Sequence, residues 1–263
     1  RRRITNISSN KEKHKLLSIN SVSNFRDVAI GPKMKKNLLF RCAKLSTLNN
    51  EDIIKLENIK PYAIIDFRDP KEIKKAPDNL SDNLFKKYVS LPISANTLNR
   101  MVSEKNIQGD NRLTYEKVME ESYKLYLNNH KHVWKEFINI LLNSNSNPII
   151  FHCSAGKDRT GIASYIIQSL LNSSIELIYE NYLLSNQLLS SIAATAEQTT
   201  SSKNDDLKIT NVMLKALGKV KKSYLNSSIY EIKEKYQTLE MYIFNELGFN
   251  ENDIKKLIKL YSN

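Results

Sequence analysis

Residues 148–171 read Pro148-Ile149-Ile150-Phe151, then His152-Cys153-Ser154-Ala155-Gly156-Lys157-Asp158-Arg159-Thr160-Gly161, then Ile162-Ala163-Ser164-Tyr165-Ile166-Ile167-Gln168-Ser169-Leu170-Leu171. The order is a short apolar strand, a tight polar loop and an apolar helix. A helix start offers unpaired N–H groups and the positive end of its dipole, so the loop before it is a ready anion site. One cysteine lies in that loop, with one arginine six positions later. On this reading the thiol and the guanidinium fork face the same small concavity.

That pairing has a chemical meaning. A free thiol titrates near 8.5, so only about 3% is thiolate at pH 7. Cysteines beside a helix N-terminus and a cation titrate well below that value, which makes them nucleophiles. The same field suits a phosphoryl dianion held by the amides of Ser154, Ala155, Gly156, Lys157, Asp158 and Arg159. Arg159 can bind two equatorial oxygens at once. Cys153 would then carry the phosphoryl group as phosphocysteine until water removes it. The Thr160 hydroxyl is placed to donate to sulfur as the thiolate leaves. A nucleotide-binding phosphate loop fits less well, because Gly156-Lys157 is followed by Asp158 instead of Ser or Thr.

Composition bounds the rest. The chain has 263 residues, 41% hydrophobic and 26% charged, as in an ordinary globular protein that can bury one sizeable core or at most two small ones. No run approaches the roughly 18 apolar residues that span a bilayer. Lys and Arg number 40 against 28 Asp and Glu, a net charge of +12. Such a balance attracts phosphorylated groups or an acidic membrane surface. No basic-aromatic module supports nucleic-acid binding. Two cysteines, Cys42 and Cys153, give no disulfide framework. A cytoplasmic and an exported location both stay open, since a signal segment could have been removed.

Along the chain, residues 1–15 are polar and basic, and the expectation is a loosely ordered segment before a domain at 16–263. Strands are expected at 37–41, 62–67 and 85–93, the last stopped by Pro92. Ser46 or Thr47 would cap a helix carrying Ile53, Ile54 and Leu56. Residues 94–113 read as a long polar connection. Helices are expected at 114–127 and 131–143, and from a Ser173/Glu176 capping box through Leu189. Residues 193–206 read as a small, polar excursion. Further helices fall near 207–217, 220–236 and 238–247, with Gly248 as a stop and a last helix after Asn250. Strands alternating with helices, then a helical tail, imply one α/β domain with helices on both sheet faces.

Residues 152–161 resemble the signature loop of cysteine-dependent protein tyrosine phosphatases. The Gly-Lys-Asp-Arg-Thr-Gly ending is similar to the atypical bacterial branch, which includes dual-specificity and phosphoinositide phosphatases. Asn24-Phe25-Arg26-Asp27, Phe40-Arg41 with Leu45-Ser46, Ile65-Asp66-Phe67-Arg68 with Glu72, and Asn181 through Asn186 agree with that branch. The resemblance implies a mostly parallel central sheet, a catalytic loop at its C-terminal edge, and a helical C-terminal lid at about 187–220. It also implies a phosphorylated protein or phosphoinositide as substrate, without a cofactor.

The general acid is less plainly written. The loop where many relatives keep an aspartate reads Ser94-Ala95-Asn96-Thr97-Leu98-Asn99 and holds no acid. Asp158 is the first choice; its alternative role is to pair with Lys157, an arginine or a loop amide. Asp66 follows, although organising Arg68 and the sheet edge suits it better, and Asp69, Glu72 and Asp110 are weaker still. His152 is expected to support the thiolate through backbone hydrogen bonding. His14, His130 and His132 form no metal-ligand pattern with the cysteines. Cys42 reads as a small core residue; a resolving role would need proximity to Cys153. Lys157 adds a second loop cation, which suits multiply phosphorylated substrates unless it neutralises Asp158. A phospho-binding module without turnover and a sulfur-transfer enzyme are the rival classes. Oligomeric state has no signature in the chain.

Overall fold

A computed structural model describes residues 17–94, 112–190 and 218–263. The basic segment 1–15, the helix expected at 207–217, Asp110, the excursion at 193–206, and most of the 94–113 connection and of the 187–220 lid region lie outside the described residues.

The five strands are β1 (Arg26–Asp27), β2 (Leu39–Cys42), β3 (Ala63–Asp66), β4 (Tyr88–Ser90) and β5 (Ile149–His152). Their order in the sheet is β1-β2-β5-β3-β4. All neighbours are parallel except β1 with β2. β3 and β5 are buried along their whole length, as expected for the middle of a sheet covered on both faces. β5 is central, and in its register Cys42 of β2 and Asp66 of β3 both lie level with His152. The signature loop therefore leaves the sheet from its middle, where ligands bind in open α/β sheets.

Alternation along the strands builds two cores. Leu39, Ala63, Ile65, Ile149 and Phe151 join the larger one. It is closed by α3 (Arg112–Asn128), α4 (Lys131–Asn143), α5 (Arg159–Leu170), α6 (Ile175–Leu183), α7 (Lys222–Tyr236), α8 (Leu239–Leu247) and α9 (Glu251–Tyr261). Phe40, Cys42, Ile64 and Ile150 point the other way, onto Leu45, Leu48, Leu56, Leu84, Ile19 and Val22. That smaller core lies under α1 (Asn50–Asn58) and a helical turn at Asp82–Phe85. Helices thus cover both faces of a mostly parallel sheet, as expected, and α5 is buried almost all round. None of the described helices is long and apolar enough to cross a membrane.

Local signals succeeded unevenly. Gly248 ends α8 in the left-handed conformation, and Asn250 with Asp253 forms the capping box of α9. The cap of α1 is Asn49, not Ser46 or Thr47; Leu45–Thr47 is a single 3₁₀ turn, and the Thr47 hydroxyl bonds Ser21 O at 2.6 Å. Ser174, not Ser173, caps α6, which stops at Leu183 before a separate turn at Ser185–Leu188. The expected strand at 85–93 contracts to Tyr88–Ser90, because Ser81 caps the preceding turn and carries Phe85 into it. The helix α2 (Pro70–Lys75) was not expected, although Asp69, Pro70 and Glu72 form a capping box with proline at the first position.

Candidate active site

The loop between β5 and α5 is held from below by its carbonyls. Asn24 Nδ2 donates to Ala155 O and Gly156 O, both at 2.9 Å, and Arg41 Nη2 donates to Gly156 O at 2.9 Å. Gly156 turns the chain with φ +67°, and a Cβ there would meet Cys42 O at 2.0 Å. Gly161, in the first turn of α5, leaves room for Tyr182, whose ring a Cβ would approach to 2.9 Å. With the carbonyls drawn inward, the amides of Ser154 through Arg159 find no acceptor among the described residues. Buried N–H groups are normally paired, so six consecutive free donors make an anion cradle. Cys153 immediately precedes these amides in the chain, with 2% of its surface exposed.

Arg159 is aimed by Glu72. Its Nη1 and Nη2 bond the two oxygens of that carboxylate at 2.6 and 2.7 Å, and Nη1 also reaches Ile93 O at 3.0 Å. Glu72 accepts as well from the Ser154 hydroxyl and from the Asp69 amide, so α2 exists largely to present it. The Nε edge of the fork keeps no acceptor among the described residues. Burial alone would raise the Glu72 pKa, but Arg159, Ser154 and the amide bring it down to about 2. Burial likewise opposes the Arg159 charge, yet Glu72 and Cys153 hold its pKa above the ordinary value.

A depressed carboxylate stabilises the fold above its ordinary pKa of 4.5, and that contribution is lost as pH falls toward 2. Glu72→Gln should therefore lower stability at pH 7 by about 1–3 kcal/mol, since the buried guanidinium loses its partner. Stability of the variant should fall less between pH 4.5 and pH 2 than that of wild type. Urea midpoints across that range check it; parallel pH curves for the two proteins would rule out the pair as their source.

Beneath His152 lies a second charge network. Arg68 binds both oxygens of Asp66 and pairs with Asp78 at 2.8 Å; its Nη1 bonds Ala76 O at 2.7 Å. Tyr88 donates to Asp66 at 2.9 Å. The His152 ring is fully buried, with Nε2 3.1 Å from Asp78 and Nδ1 3.3 Å from Cys153 O. Burial would raise the Asp78 pKa, but His152, Arg68 and the Leu45 amide lower it. Ligand atoms of Asp66, Asp78 and His152 lie within 4.8 Å of one another, as a metal site needs. The Arg68 guanidinium already binds both carboxylates, so the cation here is a side chain.

At the lip, Lys157 and Asp158 pair at 2.6 Å, and Asp158 also accepts from Tyr123 at 2.7 Å. Tyr123 and Tyr182 share a hydrogen bond at 2.6 Å, and burial pushes both phenols well up. Thr160 Oγ1 is buried and bonds neither sulfur nor any other atom. Cys42 has its side chain in the smaller core, whereas Cys153 belongs to the larger one, so the two thiols lie on opposite faces of the sheet.

Residues 152–160 form the end of β5, the loop and the start of α5, and Asp66, held by Arg68, lies beside His152. Asp78 and Tyr123 were not anticipated. Asn24, Arg41, Asn181 and Tyr182 stand within the resembling segments without an assigned role, whereas Glu72, weighed there only as a weak candidate acid, clamps Arg159. The available signal was a charged residue inside the apolar run Leu38-Leu39-Phe40-Arg41-Cys42.

A mostly parallel sheet whose central strand runs into a loop holding Cys153 and Arg159 is the arrangement on which the family comparison bears. The tyrosine phosphatase family model matches residues 17–263, so the chain belongs to that family and is a phosphatase. A Cupriavidus necator protein that carries a tyrosine-protein phosphatase name is 24% identical over 246 residues, covering 92% of this chain and 86% of its own. The triple specificity protein phosphatase PtpB of Mycobacterium tuberculosis is 21% identical over 264 residues, covering 89% and 94%.

Proposed function

We propose that the protein hydrolyses phosphomonoesters through a phosphocysteine intermediate, with phosphotyrosine as its first substrate class. The observation that carries this is the run of acceptor-free amides at Ser154–Arg159, which follows Cys153 and is ended by a clamped guanidinium. The sulfur of Cys153 attacks phosphorus while the ester oxygen departs. Arg159, its Nη pair fixed on Glu72, keeps its Nε edge for two phosphoryl oxygens as charge develops. Water then attacks phosphorus, the P–S bond breaks, and orthophosphate and thiolate result. His152, with Asp66 and Arg68 behind it, supports the loop from the sheet side.

Asp158 is the proposed general acid. Lys157 and the Tyr123 hydroxyl fix the position of its carboxyl group beside the loop. Lys157 is 7% exposed and engaged by Asp158, so its charge is matched within the loop. An aryl monophosphate needs no further cation, which favours phosphotyrosine. The second reading is a phosphoinositide phosphatase acting at an acidic membrane surface, favoured by the net charge of +12. The relative named a triple specificity phosphatase keeps broader phosphoester specificity in view.

The test is a comparison of kcat/KM on phosphotyrosyl peptides, phosphoseryl peptides and phosphoinositides. Phosphotyrosine should lead; faster lipid turnover would establish the second reading. In Asp158→Asn the loss should grow as the leaving group becomes more basic, reaching about 10²–10⁴-fold for alkyl phosphates. An equal loss across leaving groups would remove Asp158 from that role.

A further inference from the structure

Arg41 sits inside a four-residue strand, Leu39-Phe40-Arg41-Cys42, in which every residue is buried. Burying a guanidinium is costly unless a carboxylate meets it. Among the described residues no carboxylate forms an ion pair with Arg41. Its donors go instead to Asn181 Oδ1 at 3.0 Å, Gly156 O at 2.9 Å and Lys157 O at 3.3 Å. Its Nε is buried without a partner. Opposite it in register stands Arg26, which bonds Asn24 O at 3.0 Å, Asn181 O at 2.8 Å and Ser185 Oγ at 2.9 Å, and also the Asn24 side-chain oxygen. A fully buried guanidinium and a half-buried one thus lie side by side under one loop, facing neutral oxygens.

A fold that needed only packing would gain by replacing such a pair with apolar side chains. The charge instead points at the reacting centre. The ionisable groups that face Arg41 are Arg26 from β1, Cys153 and Asp158 from the loop, Tyr123 from α3 and Tyr182 from α6. Burial lowers its pKa to about 10, so it stays cationic at neutral pH. A Cβ at Gly161 would come within 3.6 Å of Arg41 Nη2, so the guanidinium also borders the first turn of α5.

We propose that Arg41 is a positioning residue for phosphoryl transfer. From beneath the loop it draws the Gly156 and Lys157 carbonyls inward, which turns the loop amides toward the phosphoryl group. It also supplies a second fixed positive charge for the thiolate and the phosphoryl dianion. The inference rests on Cys153 and Arg159 acting as set out above.

The test uses the full chain with Arg41→Met and Arg41→Lys, each measured for orthophosphate affinity, kcat, KM, pH–rate profile and urea stability. Arg41→Met should lose about 10²-fold in kcat/KM, the scale of one lost oxyanion donor. Orthophosphate should bind about tenfold more weakly, as when one charged hydrogen bond is removed. The acidic limb of its pH–rate profile should move to higher pH. Arg41→Lys should restore the limb, because it keeps the charge, but not the phosphate affinity, because it lacks the planar fork. A folded Arg41→Met with wild-type phosphate affinity, kcat/KM and pH profile, whatever its stability, would overturn the proposal. Should Arg41→Met fail to fold, wild-type phosphate affinity in Arg41→Lys would overturn it equally. Phosphate affinity reads Arg41 without turnover, so an inactive wild-type protein would count against the hydrolytic reading and leave the Arg41 measurement decisive.

Discussion

Cys153→Ser should abolish phosphate release, by about ten-thousandfold or more, as loss of a covalent nucleophile does. Orthophosphate and vanadate should still bind with close to wild-type affinity. The separation follows from how the loop is built. On the proposed reading the six amides and Arg159 hold the anion, and among the described residues none of them is hydrogen-bonded to the sulfur. Serine fills the same space but ionises far less readily, so the bond to phosphorus cannot form at a useful rate. Steady-state turnover of an aryl phosphate, paired with calorimetric phosphate titration, reads both quantities. Loss of binding together with turnover would mean that the thiol is a structural part of the cradle. Retained turnover would mean that another group attacks phosphorus.

The second large effect is expected at Gly156. Its φ of +67° is strained for any residue with a side chain, and a Cβ would stand 2.0 Å from the Cys42 carbonyl oxygen. Neither atom is a flexible side-chain tip, so backbone must move. Gly156→Ala should lower stability by about 3 kcal/mol or more, the range in which a backbone clash joins a conformational cost. It should also cut kcat/KM by about 10²-fold in the molecules that remain folded, because the displaced loop no longer aligns its amides. Arg41 and Asn24 would lose their bonds to Gly156 O in the same step. Urea unfolding and single-turnover kinetics on one preparation separate the two effects. An alanine variant with wild-type stability and rate would contradict the tight seating of the loop on β2.

Much of this arrangement was legible in the chain. The strand, loop and helix around Cys153 follow from an apolar run, a polar turn and a second apolar run, and all three appear, although β5 takes in His152 and α5 begins at Arg159 instead of Ile162. β3 was legible for the same reason, since Ala63-Ile64-Ile65 leaves no polar face. What was not legible depends on distance. Glu72 meets Arg159 across 87 residues, and only the packing of α2 against the loop shows that the two belong together. Asp78 reaches His152 from an irregular segment that carries no periodic signal. Arg41 was the most readable of the missed residues, because a charge inside an apolar strand demands a partner. Asn49 displaced Thr47 as the α1 cap because Thr47 was already engaged by Ser21 O. At Glu72, Asp78 and Thr47 a tertiary contact decided what the local sequence left open.

The central claim is that phosphorus passes through the sulfur of Cys153, and rapid acid quench of a reaction with phosphorus-32-labelled substrate tests it most directly. Wild-type protein should carry transient label on the peptide that contains residue 153, and Cys153→Ser should carry none. Steady phosphate release without protein-bound label at any time, unchanged in Cys153→Ser, would contradict the account.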